Sequence, residues 1–163
     1  IQALPTEKCG IHAGKFNGYS TSIEFCATAS KSKDNKWASK FYGSYVERFP
    51  PVQQFRKAYD IAKVISTKTG VPLTNQFWLG KKGARLWSMG KSEGPVPKGI
   101  VAHWRDVKTD HIDGMLPELF CLLKADGMSD ALAYNKTRAA AKVMATTKGW
   151  WKKKIVINSM TLA

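Results

Sequence analysis

The sequence predicts a single α+β domain, with an antiparallel sheet, two main helices at about 51–69 and 129–148, and a C-terminal strand. Three features predict it: helical spacing of apolar residues in the first range, short apolar runs between glycines and prolines in the middle, and a helix-forming run before the last strand. With 163 residues, 44% of them hydrophobic, the chain is long enough to bury a core. We assign residues 1–163 to one globular domain with an irregular N-terminal arm at 1–20.

The first helix has the clearest boundaries. Pro51 stands at its start, where a missing N–H costs nothing because that group has no partner in a first helical turn. Gly70 and Pro72 mark its end. Between them, apolar side chains recur at helical spacing, at Phe55, Ala58, Tyr59, Ala62 and Ile65.

The sheet is predicted from short apolar runs. Ser22–Ala27 alternates between apolar and polar residues, as a half-buried strand does. Four further runs are separated by glycine and proline turn signals, at Phe77–Leu79, Arg85–Met89, Gly99–Trp104 and Leu119–Leu123. This spacing predicts antiparallel strands joined by hairpins.

The second helix begins after Ser129, a favoured N-cap residue, and runs through alanine-rich sequence to about Lys148. Gly149 ends it, and Lys154–Asn158 then predicts a final strand. Successive side chains of a strand point to opposite faces. We therefore expect this strand to have one face in the core and one face exposed.

Positive charge is large and unevenly distributed. The net charge is +14; residues 51–100 carry nine basic and two acidic side chains, and residues 134–163 carry seven basic and none that is acidic. Uncompensated like charge repels itself, so this distribution predicts an acidic partner: nucleic acid, anionic lipid, acidic protein or acidic glycan. The alternative is a lysine-rich surface that only water contacts.

Basic residues are interleaved with tryptophans at two places. Trp78 and Trp87 flank one basic group, and Trp150 and Trp151 precede three lysines. Lysine attracts an anionic partner, and an exposed indole stacks on bases or packs on apolar surface. The predicted partner-binding surface comprises Lys81, Lys82, Arg85, Lys136, Arg138, Lys142, Lys148, Trp150, Trp151, Lys152, Lys153 and Lys154.

The sequence contains no nucleotide-binding glycine motif, no His-Glu-x-x-His and no Gly-x-Ser-x-Gly. We therefore predict a non-enzyme with no cofactor and no metal. Carboxylates and histidines with spacing that permits a metal site do occur, at His103, Asp106, Asp110, His111, Asp113 and Glu118. We interpret them as a solvated acidic loop that neutralises nearby lysines.

No stretch approaches the eighteen consecutive apolar residues of a membrane span. The chain begins with Ile1 instead of Met, which indicates a removed organellar or secretory leader, or a fragment. Three cysteines, Cys9, Cys26 and Cys121, permit either one disulfide with one free thiol or a set of buried thiols.

Two sets of landmarks resemble known families. Cys26, Phe77-Trp78-Leu79-Gly80, Trp87, Trp104 and Phe120-Cys121 follow an order that resembles C-type-lectin-like domains, over about residues 22–124. That resemblance implies a disulfide between Cys26 and Cys121 and, since no Trp-Asn-Asp motif is present, no calcium-dependent sugar binding. The helix followed by Gly149 and Lys154-Ile155-Val156-Ile157 resembles small phycobilisome linker domains, which are basic and bind acidic partners.

Two functions follow as hypotheses. The first is a non-catalytic basic subunit or linker that docks on an acidic partner, an acidic protein assembly or nucleic acid, within a hetero-complex. The alternative is a secreted C-type-lectin-like recognition module closed by the Cys26–Cys121 disulfide.

Overall fold

The computed structural model describes residues 20–23, 25, 49–81, 84–88, 98–105, 114–147, 156–159 and 161. Within these ranges the elements are α1 (Val52–Thr69), β1 (Trp78–Lys81), β2 (Ala84–Ser88), a 3-10 helix (His103–Arg105), α2 (Met115–Ala125), α3 (Asp130–Thr146) and β3 (Val156–Asn158). Helices and an antiparallel sheet are thus combined in a small α+β fold, which confirms the predicted fold class.

Helix α2 lies at the centre of the core. It is apolar around almost its whole circumference, so other elements cover it on all sides. Its buried apolar side chains are Met115, Leu116, Leu119, Phe120, Cys121, Leu122 and Leu123. The predicted strand at Leu119–Leu123 is therefore wrong, because a continuous apolar run fits a buried helix as well as a buried strand.

Helices α1 and α3 pack against α2 and against each other, and their boundaries follow the sequence signals. Pro51 is the N-cap of α1, and Gly70, at φ 70°, ends it by donating its N–H to the Ser66 carbonyl at 2.8 Å. Ser129 caps α3 by accepting a hydrogen bond from the Leu132 N–H at 3.2 Å. Both predicted helices are therefore present, with ends within about two residues of those predicted.

The three strands form an antiparallel sheet in the order β1-β2-β3. Trp78 pairs with Trp87, and Trp87 pairs with Ile157. Paired residues share a face of the sheet, and all three side chains are buried in the same core cluster as the helices. Val156, the neighbour of Ile157, is exposed, so β3 has the one buried and one exposed face that the alternation predicts.

The predicted strand at Gly99–Trp104 is not formed. Residues 98–102 are irregular and lead into the 3-10 helix. Gly99, at φ 132°, runs so close to residue 74 that a Cβ atom would lie 1.7 Å from the Thr74 carbonyl oxygen. The Ile100 N–H donates to that oxygen at 3.1 Å, so a glycine is needed where the two segments meet.

The N-terminal predictions lie mostly outside the described residues. Only Ser20 of the predicted irregular arm is described, and residues 22, 23 and 25 of the predicted strand Ser22–Ala27 belong to no strand. The ring of Phe25 packs against Phe55 of α1, with 4.8 Å between ring centroids. This part of the chain therefore contacts the core.

Candidate functional site

All four acidic side chains in the described residues are engaged within the fold. They form the pairs Asp60–Lys63 (3.0 Å), Asp126–Arg85 (2.6 Å), Asp130–Lys124 (2.8 Å), Asp130–Arg56 (3.5 Å) and Glu118–Arg105 (2.6 Å). The hydrogen bond from Lys63 lowers the pKa of the Asp60 carboxyl, and the nearby cations on α1 act in the same direction. No acidic group in these ranges is left to neutralise further cations.

Five exposed cations remain in the described part of the chain without an ion-pair partner there. They are Lys57, Lys68, Lys98, Arg138 and Lys142. Four of them lie on α1 and α3, so the surplus positive charge is carried mainly by the outer faces of these two helices. These faces form the candidate site.

The first face, which we call the α3 basic face, consists of Asn135, Arg138, Ala139 and Lys142. Together these residues line an open depression of about 340 Å³. Arg138 and Lys142 are one helical turn apart, and like charges at this spacing destabilise a helix by about 0.2–0.5 kcal/mol. Since no described carboxylate offsets that repulsion, a bound anionic group would relieve it.

The second face, which we call the α1 outer stripe, consists of Lys57, Ile61, Val64 and Lys68. These positions are spaced by four, three and four residues, which places them on one side of a helix. All four are exposed, whereas Phe55, Ala58 and Ala62 on the opposite side of α1 are buried. Sequence reasoning did not assign this stripe to a site, although the spacing relative to Phe55 indicates an outward position.

The predicted cations of the β1–β2 hairpin have mixed outcomes. Arg85 lies on β2 and donates from Nε to Asp126 Oδ2 at 2.6 Å, so a carboxylate of the same chain already neutralises it. Lys81 ends β1 opposite Ala84. Several predicted residues lie outside the described residues, namely Lys82, Lys148, Trp150, Trp151, Lys152, Lys153 and Lys154.

Lys136 does not belong to an exposed surface. Only 7% of it is accessible, because it lies on the core side of α3, three residues after Ala133 and four before Ala140. Both alanines are fully buried. Of the cations that we predicted on this helix, Arg138 and Lys142 are the two that the structure places at the surface.

Trp78 and Trp87 are not available for stacking on a partner, contrary to the role that their position beside Arg85 suggested. Both are buried on the core face of the sheet. The Trp78 indole N–H donates to Asp126 Oδ2 at 2.9 Å, and the Trp87 indole N–H donates to Glu118 Oε1 at 3.2 Å. Their polar atoms are thus satisfied inside the fold, as buried indoles require.

Glu118 is a core residue, so its assignment to a solvated acidic loop is wrong. It is 2% exposed and its carboxylate accepts five hydrogen bonds. The donors are Asn75 Nδ2, Trp87 Nε1, Ala102 N, Arg105 Nε and Arg105 Nη2. Because this carboxylate is buried and its oxygens are bound by protein donors, a substrate has no access to it, and its role is structural.

Arg105 completes this buried cluster. Its guanidinium lies 3.9 Å from the ring centroid of Phe77, and Nη1 donates to the Ser88 carbonyl. Of the other members of the predicted acidic loop, His103 begins the 3-10 helix, whereas Asp106, Asp110, His111 and Asp113 lie outside the described residues. Within the described residues, no group of three or more His, Cys, Asp or Glu side chains is arranged to hold a metal ion.

Cys121 is a buried free thiol. The Cys26–Cys121 disulfide that the lectin resemblance implies is therefore not formed in this structure; Cys26 lies outside the described residues. Burial, with a smaller contribution from the neighbouring Glu118 carboxylate, raises the pKa of Cys121 from 9.0 to about 12. The thiol is consequently a packing group and not a nucleophile.

We expect Cys121 to be unreactive in the folded protein, because only the thiolate reacts and burial suppresses its formation. In a Cys9→Ser/Cys26→Ser variant at pH 8, labelling by a disulfide reagent should be more than about a hundred-fold slower in buffer than in denaturant. Fast labelling of the folded protein would contradict the assigned burial.

The raised pKa also gives stability a pH dependence. Above pH 9 the unfolded chain loses the Cys121 proton while the folded chain keeps it, so the unfolded state binds fewer protons. The contribution of this thiol is therefore constant below pH 9 and is lost as the pH rises from 9 toward 12. The free energy of unfolding of the same variant should fall over this window more steeply than that of its Cys121→Ala derivative.

No protein-family model, curated protein or solved structure matches this chain. None of the helices in the described residues has the length and apolar character needed to cross a membrane. Function is therefore inferred from the charge and geometry of the two helix faces.

Proposed function

We propose that this chain is a non-catalytic basic subunit that docks on an acidic macromolecule within a larger complex. The observation that carries the proposal is the distribution of charge. Every described carboxylate is already paired with a cation of the fold, and Lys57, Lys68, Lys98, Arg138 and Lys142 remain exposed without such a partner.

The open shape of the α3 basic face supports docking over catalysis. Its depression is open and is lined by one helix face, with an arginine and a lysine as its charged groups. Enzyme pockets usually bury most of a ligand and bring together convergent polar groups with a shifted pKa. An open cationic face instead suits contact with an extended anionic surface, where attraction is long-ranged and weakened by salt.

The proposal predicts salt-sensitive binding to polyanions. We expect the chain to bind labelled duplex DNA and poly-glutamate at low salt, with affinity for both falling as salt is added. If about six phosphates are contacted, the log–log slope for DNA should be about −5. Fluorescence anisotropy at several salt concentrations measures the two affinities and the slope.

The α3 basic face is tested by an Arg138→Gln/Lys142→Gln variant. If both cations contact the partner, the DNA slope should become less steep by about 2. The matched control is Arg56→Gln/Lys63→Gln, which removes one arginine and one lysine whose charges are already paired. If the slope changes equally in the two variants, the attraction is general and does not depend on the α3 basic face. If neither DNA nor poly-glutamate binds at low salt, the proposed function is refuted.

A further inference from the structure

The α1 outer stripe differs from the α3 basic face because its centre is apolar. Ile61 is 40% exposed and Val64 is 56% exposed, and both lie among the large apolar side chains that the fold leaves at the surface. The opposite side of α1 already buries Phe55 in the core. The two aliphatic side chains therefore serve no packing role that the core requires.

Two lysines bound this apolar centre. Lys57 precedes Ile61 by four residues and Lys68 follows Val64 by four, so the stripe spans about 16 Å along the helix axis. Neither lysine has an ion-pair partner among the described residues, and Asp60 beside them is bound to Lys63 at 3.0 Å. The result is an aliphatic centre with a cation at each end that forms no ion pair with a described residue.

We propose that the α1 outer stripe docks an acidic amphipathic helix of a partner protein. This inference rests on the proposed function and names the partner class for one of its two faces. Protein interfaces combine a desolvated apolar centre with a polar rim, and helices in grooves present apolar anchors one turn apart. A partner helix with apolar side chains over Ile61 and Val64 and carboxylates near Lys57 and Lys68 matches that arrangement.

Two other occupants fit the stripe less well. A nucleic acid backbone presents phosphates and water, to which cations and hydrogen-bond donors bind, whereas Ile61 and Val64 offer neither. A second copy of this chain would bring Lys57 and Lys68 against equivalent lysines in a protein of net charge +14, and like charges facing each other oppose association.

The test is an NMR titration of the full, isotope-labelled chain with a synthetic helical peptide. The peptide carries two leucines three residues apart, as Ile61 and Val64 are. One glutamate stands four residues before the first leucine, and another stands four residues after the second. Two control peptides replace either the leucines with serine or the glutamates with lysine. We expect amide chemical-shift changes along α1 with the first peptide. The dissociation constant of each control peptide should be at least ten-fold larger.

The matching protein variants are Ile61→Ser/Val64→Ser and, as a control, Leu132→Ser/Val143→Ser, which removes two exposed apolar side chains from α3. The first should weaken peptide binding at least ten-fold, and the control should leave peptide binding unchanged. Circular dichroism checks that both variants keep their helices.

The outcomes separate this inference from the proposed function. If the peptide binds equally well without its leucines, or without Ile61 and Val64, attraction is purely electrostatic and the inference is overturned while the proposed function stands. Stronger shifts along α1 with DNA than with the peptide would assign the stripe to nucleic acid and also overturn it. If the unmodified chain binds no polyanion, the proposed function is refuted. If peptide binding is lost in Ile61→Ser/Val64→Ser and kept in Leu132→Ser/Val143→Ser, the inference is supported.

Discussion

Replacing Arg105 with methionine is expected to lower the free energy of unfolding by about 3–5 kcal/mol. The change removes the cation from the buried Glu118 carboxylate, to which Arg105 Nη2 donates at 2.6 Å. It leaves Asn75, Trp87 and Ala102 as neutral donors to a charge that water cannot reach. Urea unfolding followed by circular dichroism measures the loss.

The matched control is Arg85→Met. The Arg85–Asp126 pair has the same 2.6 Å separation, but the Arg85 side chain is 45% exposed, so its loss should cost no more than about 1 kcal/mol. A double variant, Arg105→Met/Glu118→Leu, should be less destabilised than Arg105→Met alone, because it removes the uncompensated charge as well. If Arg105→Met and Arg85→Met cost the same, burial does not determine the strength of this pair.

Truncating Phe55 to alanine should cost about 3–5 kcal/mol through the cavity that it leaves. Phe55 is fully buried and lies at the meeting point of four other aromatic rings. Their centroids are 4.8–5.9 Å away and belong to Phe25, Phe49, Phe120 and Tyr134. The loss is measurable as a lower urea midpoint with near-normal helical content before the transition.

Val64→Ala on the same helix serves as the control. Val64 is 56% exposed, so its truncation should change the free energy of unfolding by no more than about 0.5 kcal/mol. A small effect at Phe55 would mean that the surrounding rings close the space, and the aromatic cluster would then not be the main support of α1.

Parts of the fold that depend on local signals could be predicted from the sequence. Gly70 and Ser129 mark a helix end and a helix start by backbone chemistry that requires no distant partner. The Trp78-to-Ile157 row of the sheet was not predicted, although the strands were, because register depends on which face meets the core. For the same reason, the interleaving of tryptophans with basic residues did not reveal that Trp78 and Trp87 face the core.

Helix α2 and the Glu118 cluster could not be predicted for a related reason. A run such as Leu119–Leu123 has no periodicity that separates a buried helix from a buried strand. The choice of Arg105 as partner for Glu118, thirteen residues away, depends on tertiary packing in a chain with 26 basic residues. Lys136, in contrast, could have been placed in the interior, because its spacing from Ala133 and Ala140 repeats that of a core face.

For the candidate site, Arg138 and Lys142 were predicted because residues 134–163 carry seven basic side chains and none that is acidic. The α1 outer stripe was not predicted, since two exposed aliphatic residues on a helix do not stand out until the opposite face is known to be buried. Their importance depends on Lys57 and Lys68 lacking acidic partners among the described residues, which is a property of the folded chain.

The five hydrogen bonds to Glu118 have a consequence for how the molecule opens. Their donors lie 13 to 43 residues away in the sequence, before β1, within β2 and around the 3-10 helix. Releasing any one of these segments would expose part of a buried charge, so they open together as one cooperative unit. We therefore expect residues 98–105 to exchange their amide hydrogens as slowly as the sheet and α2 do, although this stretch has little regular structure of its own.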